Sequence, residues 1–273
     1  MWLSLSLVVA CSNVRAPNPL ELSALQVDIV EGPKEFEQLQ TMTRSGAIAQ
    51  QEGGGINYIR MEAVRDTALS IGARSALAWR AGQINQIVLT QASYLDGVFN
   101  FNSLLLEDEI LPPVLLESRN ALNVDGPHNI RVADRSYRIA KQARFVTTPP
   151  TWREYLWMDD RAPEPPDPSL LPRTQEEQAA WQKGVVEGWA AGIKQANEIY
   201  AENLARLKRD YQGMVRYRML LAQKMVTAPQ VAHRELGVTG GGEMLSVNDR
   251  ILTIKALPSL QADSSGWAPS VAP

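Results

Sequence analysis

Residues 174–226 read TQEEQAAWQKGVVEGWAAGIKQANEIYAENLARLKRDYQGMVRYRMLLAQKMV, and this stretch decides the fold. No proline interrupts it. Trp181, Val185, Trp189, Ile193, Ala196, Tyr200, Leu204, Leu207, Tyr211, Met214, Arg218, Leu221 and Met225 recur every three to four residues, the period of one face of an α-helix. Thr174-Gln-Glu-Glu177 has the form of a capping box, whose hydroxyl and carboxylate satisfy amides left unpaired in the first turn. The spacing predicts a helix roughly 80 Å long at 1.5 Å per residue. The glycines at 184, 188, 192 and 213 predict a bend or break within it. Its charges are segregated: Glu176, Glu177, Glu187, Glu198 and Glu202 dominate the first part, and Arg206, Lys208, Arg209, Arg216, Arg218 and Lys224 the second. That order complements the helix dipole. An acidic partner docking on the basic end is the alternative reading.

Working outward, Tyr58–Leu89 lacks proline and repeats apolar residues at the same period, which predicts a second long helix. Its many alanines and glycines (Ala68, Gly72, Ala73, Ala76, Ala78, Ala81, Gly82) predict that another element approaches its backbone closely. Pro33–Met42 reads as a short helix opening at proline, the favoured first position, and Arg44–Gly55 as irregular chain. Ile110-Leu-Pro-Pro-Val-Leu-Leu116 excludes a helix, because proline lacks the amide donor and disfavours helical geometry before it. Leu122–Gly126, Ile130–Val132 and Tyr137–Val146 read as strands, with Asp125-Gly126 as the turn between the first two. Met158–Pro172 is proline-rich and reads as an extended surface crossing. Val231–Val238 and Met244–Ala256, separated by Gly240-Gly-Gly242, read as an antiparallel hairpin, and Ala262–Pro273 as a disordered tail. The expected class is α+β: a single domain with a small antiparallel sheet of hairpins, a long helix in the C-terminal half and a second long helix after residue 57. The expected division is 1–10 signal peptide, 11–43 tether and short helix, 44–267 domain, and 268–273 disordered end.

With 27 basic against 30 acidic side chains in 273 residues, the net charge of −3 argues against a dedicated nucleic-acid binder. The composition, 45% hydrophobic and 21% charged, excludes wholesale disorder. The single cysteine, Cys11, excludes an intramolecular disulfide and a thiolate metal cluster. A lone cysteine is ordinarily a small buried hydrophobe. Here, however, it follows the uncharged apolar run MWLSLSLVVA, too short for the ~20 residues of a membrane span but of the length of a signal-peptide core. Val8-Val9-Ala10-Cys11 resembles the bacterial lipobox, in which the thiol is acylated and the chain is cut before it. No Lys or Arg precedes the run, although a signal peptide normally carries one there. The reading places a lipid anchor at Cys11, with Ser12–Asn18 as a polar tether. Ser12 in second place is what a lipoprotein sorted to the outer membrane would show.

Catalytic patterns are weak throughout, and no catalytic, cofactor or metal residue is assigned. His128 and His233 are isolated, with no HExxH or HxH spacing. The two glycine triplets lack the Gly-Lys-Ser/Thr ending of a phosphate loop, and no Gly-x-Ser-x-Gly elbow is present. Glu107-Asp108-Glu109 offers a carboxylate pair, but adjacent residues point apart, so a solvated turn is expected. The densest aromatic segment is Pro149-Pro-Thr-Trp-Arg-Glu-Tyr-Leu-Trp-Met158. Its rings either plug into the domain's own core or form a docking surface, since Trp, Tyr and Arg dominate interface hot spots. On the second reading Trp152, Arg153, Tyr155 and Trp157 are the candidate partner contacts.

Several words of the sequence, in order, resemble the DotC/TraI family of lipoproteins from type IVB secretion and IncI-type conjugation systems. They are Ser45-Gly-Ala-Ile-Ala-Gln-Gln-Glu52, Ala78-Trp-Arg-Ala81, Phe99-Asn-Phe-Asn102 with Leu111-Pro-Pro-Val114, Pro149-Pro-Thr-Trp-Arg-Glu-Tyr-Leu-Trp157, Asn203-Leu-Ala-Arg-Leu-Lys-Arg-Asp210, Leu236-Gly-Val-Thr-Gly240 and Ile254-Lys-Ala-Leu-Pro258. The resemblance spans about Arg44–Trp267. It implies a non-enzymatic, cofactor-free subunit of an envelope-spanning translocation complex, lipid-anchored in the outer membrane and facing the periplasm. It further implies a DotD-like lipoprotein and a DotH-like channel subunit as partners, assembly in many copies into a ring, and no direct nucleic-acid binding. The alternatives are an envelope lipoprotein acting on peptidoglycan, with Glu107 or Glu109 as acid, and a periplasmic ligand-binding lipoprotein.

Overall fold

The computed structural model describes residues 33–43, 58–124 and 127–268. The α+β class expected from the sequence is the one that forms. Five α-helices are described: α1 (Lys34–Gln40), α2 (Tyr58–Thr90), α3 (Ala92–Val98), α4 (Trp152–Leu156) and α5 (Gln175–Ala222). The strands are β1 (Ile110–Leu111), β2 (Val114–Val124), β3 (Ile130–Lys141), β4 (Arg144–Phe145), β5 (Gln230–Gly241) and β6 (Met244–Ala256), and they form three two-stranded antiparallel sheets, β1–β4, β2–β3 and β5–β6. Two compact units share the described chain. The first takes residues from Met1–Gln91 and Asp160–Asn197, the second from Ala92–Asp159 and Glu198–Pro273. Neither is a continuous segment.

Unit 1 is built on α2 and the first half of α5, which run parallel. Arg60 bonds Glu177 and Arg80 bonds Asn197, an offset of 117 residues in both cases. The Gly/Ala-rich face of α2 meets the glycines of α5, as its composition predicts. The expected break does not occur, since α5 runs unbroken from Gln175 to Ala222, and Gly184, Gly188 and Gly192 serve close packing. A Cβ on Gly184 would lie 2.7 Å from the Arg65 carbonyl oxygen, one on Gly188 2.2 Å from that of Leu69, and one on Gly192 2.1 Å from that of Ala73. Around this contact Leu39, Val64, Ala68, Ile71, Ala76, Trp181, Val185 and Trp189 form the core. The buried Trp181 indole donates to the Leu39 carbonyl at 2.7 Å, which ties α1 to α5. Pro33 sits one position earlier than expected, at the N-cap of α1 rather than inside it. At the start of α5 half of the predicted capping box forms. Thr174 Oγ1 accepts from the Glu177 amide, but the Glu177 carboxylate bonds the Arg173 amide and Arg60.

Unit 2 gathers the hairpins around the second half of α5. The sequence predicts strands at 130–132 and 137–146; these are one strand, β3, as far as Lys141, after which the chain turns at Gln142–Ala143 and pairs Arg144 and Phe145 with β1. The core includes Leu95, Phe101, Ile110, Leu115, Trp152 and Leu156, with Leu207, Met214, Tyr217 and Leu220 from α5. The apolar stripe of α5 thus passes through Tyr217 and Leu220, one residue before the expected Arg218 and Leu221. The Arg218 guanidinium instead donates to the Ser103 carbonyl. The hairpin expected at the C-terminal end is β5–β6, with Val238 opposite Val247 and Gly241 opposite Met244. The disordered reading of Ala262–Pro273 is corrected for its first part. Asp263 caps a 3-10 turn at Ser264–Gly266, and the Ala268 amide donates to the Gln223 carbonyl at 2.9 Å. The Asp125-Gly126 turn, Arg44–Gly55 and residues 269–273 lie outside the described residues.

Candidate functional site

The tryptophan-rich segment folds as α4, opened by Thr151, whose amide donates to the Glu154 carboxylate at 2.8 Å. A five-residue helix places Trp152 and Leu156 on one face, and both are buried. Trp152, 1% exposed, donates its indole N–H to Asp96 Oδ1 on α3 at 2.6 Å. Arg153 reaches the same oxygen at 3.1 Å and lies over the Trp152 ring, 4.2 Å from its centroid. The indole N–H, with the Arg153 guanidinium behind it, holds the Asp96 carboxyl below the usual carboxylate range. Tyr155 stacks on Phe101 with ring planes 2° apart and donates its hydroxyl to Asp210 Oδ2 at 3.2 Å. Trp157 alone of the three rings is substantially open to solvent, at 48% exposure.

The four candidate contacts therefore divide. Trp152 and Tyr155 are used inside unit 2. Arg153 and Trp157 present surface. Trp157→Ala is expected to leave the thermal midpoint within about 2 °C of the parent, since substitutions at exposed sites stay near ±0.5 kcal/mol. A drop of many degrees in a thermal melt would show that the ring is structural.

Sequence reasoning missed Asp210, the fully buried acid on which this region converges. Its carboxylate accepts from Lys141 of β3, Tyr155 of α4 and the neighbouring Arg209. A carboxylate in such a place needs partners, because an unpaired buried charge is strongly destabilising. The signal was available: Asp210 falls at stripe spacing between Leu207 and Met214.

Burial, reinforced by the Asp210 charge, pushes the Tyr155 phenol up to about 12 from 10.0. Burial alone takes Tyr217, whose hydroxyl donates to the Thr227 carbonyl, to about 12 as well. The native state therefore holds these protons more tightly than the unfolded chain does. Their contribution to stability is complete below pH 10 and is lost as pH rises from there through about 12. Denaturant melts should fall over that window, and the fall should be shallower in Tyr155→Phe. An unchanged slope in that variant would show that Tyr155 titrates as an exposed phenol.

A second charged cluster surrounds Glu117 of β2, with Arg119 at 3.3 Å, Arg216 at 3.2 Å and Arg135 at 3.9 Å. Burial pushes this carboxyl up, but the Arg119 and Arg216 guanidiniums outweigh it and hold it below the usual range. The cluster borders an open groove of about 440 Å³ between the β2–β3 hairpin and α5, floored by Tyr137, Tyr211, Val215 and Leu220. Glu107–Glu109 forms the expected turn. Asp108 and Glu109 have φ of 58° and 56°, and Asp108 pairs with His233 at 3.2 Å. Among the described residues, no group of three or more His, Cys, Asp or Glu side chains could hold a metal ion, and no helix is long and apolar enough to cross a membrane. Cys11 lies outside the described residues.

A protein family described as type IV secretory system, conjugal DNA-protein transfer, matches residues 58–269. The match starts at the first residue of α2 and takes in every described element except α1. No curated protein is similar enough to match.

Proposed function

Because the chain belongs to the type IV secretory system family of conjugal DNA-protein transfer, whose pattern covers residues 58–269, we propose that it is a non-enzymatic, outer-membrane lipoprotein of a type IVB secretion or conjugation core complex. The family match is the observation that carries this reading. In it, Cys11 is acylated and holds the body at the inner leaflet of the outer membrane, facing the periplasm. The body binds a DotD-like lipoprotein and helps place a DotH-like channel subunit, in many copies around a ring. The internal use of Trp152, Tyr155 and Asp210 suits a scaffold, since the Trp152 indole ties α4 to α3 and Asp210 ties α5 to α4 through Tyr155 and to β3 through Lys141. Arg153 and Trp157 are its nearest surface for a partner.

Affinity purification from detergent-extracted outer membranes tests the reading. The chain should bring down DotD-like and DotH-like proteins in amounts comparable to its own. Recovery of the chain alone, at monomer mass, would contradict the assembly role.

A further inference from the structure

The β2–β3 ribbon packs closely on α5 at its base. Val114 and Leu115 are buried there, and a Cβ on Gly213 of α5 would lie 2.5 Å from Val114 Cγ1. Farther along the strand, Ser118–Asn120 are exposed. Ribbon and helix part around Glu117, and the groove of about 440 Å³ opens between them. Glu117 is the one acid lining that groove, against Arg119, Arg135 and Arg216, so three guanidiniums and one carboxylate leave a net charge of +2. Arg119 and Arg135 are directly paired across the ribbon, an arrangement that like charges disfavour. Both approach the same oxygen of Glu117, Oε1, at 3.3 and 3.9 Å, and the longer distance is beyond a hydrogen bond. Arg216 takes the other oxygen and also donates to the Leu115 carbonyl. Asp134, beside Arg135 in sequence, stands on the opposite face of the ribbon. Two guanidiniums, 72% and 64% exposed, thus share a single carboxylate oxygen.

We propose that this groove binds an acidic segment of a partner protein, with its carboxylates on Arg119 and Arg135 and an apolar side chain on the floor of Val215, Met219 and Leu220. A carboxylate matches the guanidinium fork and accepts two parallel N–H bonds from it. Its charge would also relieve the repulsion between the paired arginines. Met219, exposed on α5, offers the adaptable apolar contact typical of methionine surfaces. The volume is that of pockets that enclose a few side chains, not a whole helix. Nucleic-acid binders neutralise roughly 6–10 phosphates, more than a charge of +2 can meet. A membrane surface is met by an amphipathic face lying on it, whereas these charges line a concavity. The groove gives the basic half of α5 an acidic partner, and it depends neither on the Cys11 anchor nor on which complex the chain joins.

The test measures fluorescence anisotropy of a fluorescein-labelled peptide, ELEELE, titrated with the purified full-length chain in detergent, with QLQQLQ as the neutral counterpart. ELEELE should bind saturably at chain concentrations up to about 1 mM, more weakly as salt is raised, and QLQQLQ should not bind. The double variant Arg119→Glu, Arg135→Glu should weaken ELEELE by about tenfold or more at an unchanged thermal midpoint, because both side chains are exposed. No saturable binding of ELEELE, equal binding of QLQQLQ, or equal binding by the double variant would overturn the proposal. So would phosphatidylglycerol vesicles, or a second copy of the chain, engaging the two arginines while ELEELE does not. A chain that still brings down its DotD-like and DotH-like partners yet ignores ELEELE would keep the proposed function and lose this groove.

Discussion

Adding one methyl group at Gly188 or Gly192 is expected to destabilise the chain by about 3 kcal/mol, a large part of the 5–15 kcal/mol that holds a typical domain together. The new Cβ would lie 2.2 Å from the Leu69 carbonyl oxygen in the first case and 2.1 Å from that of Ala73 in the second. Both obstacles are helix backbone, which cannot rotate aside as a side chain can. Relief requires α2 and α5 to separate, and separation uncovers Ala68, Ile71, Val185 and Trp189, all of them buried. Alanine returns up to ~1 kcal/mol through its better helix propensity, not enough to reverse the sign. Gly97→Ala on α3 is the control, because a Cβ there meets nothing within 4 Å. It should be neutral or slightly stabilising. Thermal melts of the three variants decide the matter, and equal midpoints would show that the helices are not in backbone contact.

Replacing Cys11 by alanine is expected to have the largest effect in the cell. If the thiol carries the acyl chains, the variant should lose all palmitate label and move from the membrane fraction to the soluble fraction. Each buried methylene of an acyl chain contributes about 0.8 kcal/mol, so removing two or more chains reduces membrane partitioning by many powers of ten. On the proposed function transfer should fall with it, because a subunit without its anchor would no longer be held at the membrane where the complex assembles. The folded body should be unaffected, with the same thermal midpoint as the parent. A variant that stays in the membrane fraction would sink the anchor.

The long helices were legible because a proline-free run with a 3.6-residue apolar period has few alternatives. The same pattern put the α5 stripe one residue late at its end, where Met214 is followed on the buried face by Tyr217, at a spacing of three, rather than by Arg218, at four. The glycines of α5 were visible as a set, but a sequence cannot say whether glycine is present for flexibility or for closeness. Only the partner helix decides, and here it decides for closeness. The extent of β3 was hidden because Ala133–Ser136 is too polar to read as strand, yet its backbone is paired with β2 through to Arg119 and Ser118. In the candidate segment, an indole bonded to Asp96 and an indole facing water have the same local sequence signal. What separates Trp152 from Trp157 is the four-residue step that puts Trp152 and Leu156, but not Trp157, on the inner face of α4.

Deletion of the gene in a cell carrying the transfer system, followed by measurement of both transfer frequency and cell-wall muropeptides, tests the central claim most directly. The account predicts that transfer is lost, that the muropeptide pattern is unchanged, and that the intact gene supplied in trans restores transfer. Normal transfer with an altered muropeptide pattern would contradict it and identify the chain as a wall-acting enzyme instead.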